Sequence, residues 1–85
     1  MRHVKSKRFQ KHYDALKPAT KALANKNFAL LRLNSKHPSL HFKRIKPGLW
    51  SVRVGLDYRA LAVEGKDRFQ WVWIGPHDEY TALIK

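Results

Sequence analysis

Two arginines and a histidine–tyrosine pair fall in three short runs that read as strands or strand ends. The runs are Trp50-Ser51-Val52-Arg53-Val54, Asp57-Tyr58-Arg59 and Gly75-Pro76-His77-Asp78-Glu79-Tyr80. If they lie side by side, Arg53, Arg59, His77 and Tyr80 converge on one patch suited to a phosphate. The planar arginine fork makes paired hydrogen bonds to phosphate oxygens and keeps its charge at any working pH. Histidine carries protons near neutral pH, and Asp78 or Glu79 can orient it or raise its pKa.

Each residue also has a plainer reading. Arg53 lies between Val52 and Val54, so it points away from the core if the valines face it, as any solvated strand arginine would. Arg59 shares its face with Leu61 and Val63, where a charge needs either a ligand or a salt bridge to Asp57 or Asp78. His77 can cap a last helix, and Tyr80 can simply pack in the core. His37 and His41 have a metal-like separation, but Pro38 prevents the helix that would align them, and no further ligand cluster accompanies them. No metal or cofactor is expected. The chain has no cysteine, which removes disulfides, thiolate metal sites and cysteine nucleophiles and fits a reducing cytosol. It also carries neither a glycine-rich phosphate loop nor a zinc motif.

The elements that must position these residues follow from hydrophobic period. In Lys5 to Leu16, Phe9, Tyr13 and Leu16 recur on one helical face, with Ser6 as N-cap. Pro18 separates this helix from a second one, whose buried stripe is Leu23, Ala24, Phe28, Leu30 and Leu31. Asn34, with a left-handed cap conformation, and Pro38 end it. From Leu40 the period moves towards two. Phe42, Trp50, Val52 and Val54 alternate around a Lys46-Pro47-Gly48 turn, Tyr58 to Val63 is a second strand, and Phe69 to Ile74 a third, apolar on both faces. Gly75-Pro76 ends that strand, and one or two helical turns follow from Asp78. The pattern predicts one α+β domain over residues 1–85, with two helices on one face of an antiparallel sheet and the other face left for function. Of Trp50, Trp71 and Trp73, the alternation puts at least two in the core, so base stacking falls to the remainder.

The 85 residues suffice for a single modest core, and the 44% apolar content supports one. The net charge of +12 is unevenly placed: residues 1–50 hold 13 Lys and Arg against Asp14 alone, and residues 51–85 hold five against five acids. Such a surface suits a polyanion or an acidic protein, with Lys5, Lys7, Arg8, Lys11, Lys43, Arg44 and Lys46 as contributors. No apolar run approaches the roughly 20 residues of a membrane span, and the start lacks a signal-like apolar segment. A cytoplasmic protein without membrane contact is the expectation.

The order of a basic two-helix start, Pro47-Gly48-Leu49-Trp50-Ser51-Val52-Arg53-Val54, Asp57-Tyr58-Arg59-Ala60-Leu61 and Trp73-Ile74-Gly75-Pro76-His77-Asp78-Glu79-Tyr80 resembles the RelE/ParE superfamily of toxin–antitoxin toxins. The resemblance implies a microbial RNase-like fold, with two helices against a curved antiparallel sheet. It implies one of two activities: ribosome-dependent cleavage of mRNA, as in RelE-like members, or inhibition of DNA gyrase without cleavage, as in ParE-like ones. It also implies a cognate acidic antitoxin as partner.

By position, the residues that surround the scissile phosphate in cleaving members fall on Arg53, Arg59, His77 and Tyr80. Lys43, Arg44 and Lys46 would contact nucleic acid. Two departures stand out: Ser51 occupies a place where nucleases of the family often carry a lysine, and His77 stands where a basic group usually precedes the C-terminal tyrosine. Metal-free RNA cleavage needs a base for the 2′-hydroxyl, cations for the pentavalent phosphorane and an acid for the 5′-oxygen. Arg53 and Arg59 would supply the cations. His77 is the preferred proton carrier, because tyrosine with an ordinary pKa of about 10 is a poor base, leaving Tyr80 to position the nucleotide.

Overall fold

Ser6 and Pro18 start the two N-terminal helices. In a computed structural model, which describes residues 2–85, Ser6 accepts a hydrogen bond from the Phe9 amide (3.0 Å) and caps α1 (Lys7–Asp14). Pro18 opens α2 (Pro18–Leu33), where its missing N–H costs nothing. Ahead of both lies a short strand, β1 (Arg2–Lys5), and after them a single 3-10 turn at Pro38–Leu40. Then come β2 (Lys43–Lys46), β3 (Leu49–Val54), β4 (Tyr58–Glu64), β5 (Arg68–Pro76) and α3 (His77–Leu83).

Strands β2 to β5 form the expected antiparallel meander, in an open sheet of order β1-β5-β4-β3-β2. β1 makes the sheet mixed, because it runs parallel to β5 with His3 opposite Phe69. Nothing local in Arg2-His3-Val4-Lys5 announces a strand; it forms because the far end of the chain offers it an edge. Gly48, at φ 80°, makes the turn between β2 and β3 in a conformation that favours glycine.

One face of the sheet packs on α1 and α2. Val52, Val54, Ala60, Ala62, Phe69, Trp71 and Ile74 meet Phe9, Ala24, Phe28, Leu31 and Leu40 in a single core. The ring of Phe28 stands edge-on to both Phe9 (5.5 Å) and Trp71 (5.1 Å). A register shift between Leu61 and Ala62 pairs these residues with Trp73 and Trp71, leaving Val72 as an extra residue on β5. That shift explains the two-faced apolar run: Trp71 faces the helices and Trp73 the opposite side. Two helix expectations are corrected. Leu23 is 43% exposed rather than part of the buried stripe. Asn34 is not left-handed (φ −156°); its side chain instead accepts from the Lys36 amide, and the left-handed residue is His41, at φ 45°.

His3 ties β1 to the core. Its ring stacks on Phe69 (5.5 Å) and Trp71 (6.0 Å), and its Nδ1 accepts the Trp71 indole N–H at 3.1 Å. Burial, aided by the nearby Arg32 charge, holds its pKa below the ordinary histidine value. As pH falls, the unfolded chain therefore binds this proton before the folded one does. The urea midpoint should decline as pH drops below about 6.5 and level off once folded His3 protonates. In His3→Phe, denaturation across pH 5–8 should show a shallower decline from a lower starting stability.

Candidate functional site

The meander's register builds a row of functional residues on the sheet face opposite α1 and α2. Arg53 of β3 faces Arg59 of β4, and Arg59 faces Gly75 of β5. The pleat puts Ser51, Leu61 and Trp73 on the same face, since Ser51 pairs with Leu61 and Leu61 with Trp73. This face is not left open, because α3 folds back across it. Its first residue is anchored by the His77 amide donating to the Asp57 carbonyl at 2.8 Å.

Tyr80 is the centre of that cover. It is 5% exposed; its hydroxyl donates to the Ser51 Oγ at 3.3 Å, and the Arg59 guanidinium lies over its ring at 5.3 Å. Ser51 is fully buried beneath it. His77 is exposed, with its ring 5.8 Å from that of Tyr80. It sits at the first position of α3, and the N-cap place belongs to Pro76, so its side chain does no capping. The structure thus gathers Arg59, Tyr80 and His77 into one cluster, with Arg53 alongside.

The two arginines are in different states. Arg59 Nη1 is buried without a hydrogen-bond partner, so the alternative of an aspartate bridge is not realised at that nitrogen. A buried, unpaired guanidinium N–H is costly, and an anionic oxygen would satisfy it. Arg53 is held: Nε donates to the Gly55 carbonyl (3.1 Å) and Nη1 lies 3.1 Å from His41 Nε2. A guanidinium can only donate, so His41 accepts at Nε2 and, when neutral, carries its proton on Nδ1. Sequence reasoning weighed His41 solely as a metal partner of His37. Its place beside Arg53 depends on the 3-10 turn and a left-handed residue, for which no local pattern exists. His37 instead accepts from the Ser39 amide (3.2 Å), and no cluster of three metal-binding side chains occurs among the described residues.

Lys43, Arg44 and Lys46 lie exposed on the edge strand β2. Lys43 pairs with Ser51 and so lies on the Arg53–Arg59 face, whereas Arg44, opposite Trp50, lies on the other. Lys43 thus lies on that face one strand outward from Ser51, about 4.8 Å in strand spacing. A separate basic hollow of ≈ 560 Å³ runs between β1 and α2, lined by Arg2, His3, Val4, Lys5 and Arg32. Burial and the Arg32 charge lower the Lys5 pKa there.

Residues 20–82 match the model of the ParE-like toxin domain, and the chain belongs to that family, within the RelE/ParE superfamily. Comparison with curated proteins finds no match. Among solved structures, the chain resembles RelE in the RelB–RelE antitoxin–toxin complex of Methanococcus jannaschii, with a TM-score of 0.74 at 16% identity over 96% of this chain and 99% of that one. It also resembles the YoeB/ParE toxin of Agrobacterium tumefaciens (TM-score 0.69, 15% identity, 91% and 99% covered). YafQ of E. coli is a third (TM-score 0.67, 15% identity, 94% and 98% covered). At these identities the likeness is one of fold.

Tyr80→Phe removes the donor to a buried hydroxyl and should cost about 0.5–1.5 kcal/mol in urea unfolding. Ser51→Lys should do more, because a lysine cannot stay charged and sealed beneath Tyr80. Amide exchange over residues 77–83 should rise sharply in that variant while the core of β4 stays protected.

Proposed function

We propose that this toxin is a metal-independent, ribosome-dependent mRNA endonuclease neutralised by an acidic antitoxin. The observation that carries the reading is the unpaired, buried Nη1 of Arg59, flanked by Arg53 across the sheet and covered by Tyr80, with the His77 ring beside that of Tyr80. A phosphate reaching this row would meet two cations, each able to stabilise developing phosphorane charge. His77, exposed at the rim, is the proton carrier, and Tyr80, its hydroxyl turned inward to Ser51, positions the nucleotide. Lys43, Lys46 and Arg44 extend the positive surface for RNA, whose binding should weaken steeply with salt. An acidic antitoxin would neutralise the same charge. Antitoxin–toxin complexes of the structural neighbours from Methanococcus jannaschii and Pyrococcus horikoshii support a partner of this kind.

Two observations favour a second reading. The matching family model is ParE-like, and the place of the nuclease lysine is a buried serine. Inhibition of DNA gyrase, without cleavage, is the alternative. Induced expression with mapping of mRNA 5′ ends separates the two. Cuts within translated codons, abolished by Arg59→Ala and reduced at least tenfold by His77→Ala, are expected. Growth arrest with DNA damage and intact mRNA would establish the gyrase reading, and a fully toxic Arg59→Ala protein would sink the phosphate clamp.

A further inference from the structure

Beside the arginine row lies a hollow that the proposed chemistry does not use. It has a volume of ≈ 360 Å³ and opens between the end of α1, the last residues of β5 and α3. Trp73 and Tyr58 supply its aromatic walls, and His12, Lys17 and Glu79 its polar rim. Trp73 stands apart from the other two tryptophans. Trp71 is fully buried in the core, and Trp50 is fixed by its indole donating to Glu64 at 2.6 Å while packing on Phe42 at 4.8 Å. Trp73 is half-buried, faces the arginine side of the sheet and leans over Gly75.

That lean depends on glycine. A Cβ at position 75 would come within 2.5 Å of the Trp73 ring, so any other residue would push the indole away. Gly75 is also the cross-strand partner of Arg59, so the ring leans over the β5 backbone on the strand next to Arg59. The His12 ring meets the indole edge-on at 6.3 Å and steadies it from α1. An aromatic surface on the strand next to a phosphate-seeking arginine sets a stacking platform and an anion-seeking group side by side, the two features a nucleotide's base and phosphate call for.

We propose that Trp73 is the stacking platform for one nucleobase of the RNA strand whose phosphate Arg59 holds, and that the hollow between α1, β5 and α3 receives that base. The proposal rests on the RNA reading above. His12, Lys17 and Glu79 offer donors and an acceptor at the rim for the edge of the base. Stacking tolerates any base because each presents a π-face.

The test uses the intact protein and a short 2′-O-methyl RNA oligonucleotide, which cannot be cleaved, so binding is read independently of catalysis. Titration should quench tryptophan fluorescence in the wild type. Trp73→Leu should lose that quenching and weaken binding roughly tenfold or more. An oligonucleotide with one abasic position, scanned along the strand, should reproduce the loss on unmodified protein at a single position. Trp73→Leu should add nothing further there, so the result stands even if the variant folds poorly. Equal affinity of wild type and Trp73→Leu, or no abasic position that weakens binding, overturns the proposal. Quenching by an antitoxin peptide but never by RNA overturns it too, making the hollow a protein-docking pocket. Base-dependent quenching without mRNA cuts in cells would retire the nuclease and leave the stacking site standing.

Discussion

The pairing register of β3, β4 and β5 is the constraint on which the rest of the molecule depends. Side chains alternate along a strand, so a slip of one residue in β4 would bury Arg53's partner and turn Ala60 and Ala62 out of the core. The register is held by unequal faces. Val52, Val54, Ala60 and Ile74 are all at or below 2% exposure, and no charged residue could take their places without loss of the core. The extra residue at Val72 then lets one strand face both ways, giving Trp71 to the core and Trp73 to the opposite surface.

The cover formed by α3 is a different kind of element. It is seven residues long and is held chiefly by Tyr80 and by the His77 amide. Tyr80 excludes water from Ser51 and from one nitrogen of Arg59, which leaves a cation partly desolvated and unpaired. Desolvation strengthens the pull of that nitrogen on any anion that reaches it, and the fold bears its cost while none is there. A stable helix packing and an unsatisfied guanidinium are thus two sides of one contact.

Charge is distributed by the same architecture. The first half of the chain supplies α1, α2 and β2, so most of its lysines and arginines end on helix surfaces and on the β2 edge, while β1 with Arg32 frames a basic hollow. Charged residues on an edge strand also discourage indiscriminate strand pairing, so Lys43, Arg44 and Lys46 have a structural use beside any contact with a partner.

Much of this was legible in the sequence. Ser6, Pro18, Pro47-Gly48 and the alternating valines fixed the helix starts, a turn and the core face of β3, because capping, proline geometry and strand period are local effects. The order of motifs was enough to point to the toxin superfamily. Arg53 and Arg59 could be expected on one face, since each is flanked by core residues. The strand β1, the His41–Arg53 contact, the seal of Tyr80 over Ser51 and the tilt of Trp73 over Gly75 could not. Each joins segments distant in the chain, or depends on a bulge and a left-handed residue that leave no period behind. Local preference determined most of the elements and which way their residues face; long-range packing decided that β1 forms at all and which residues meet.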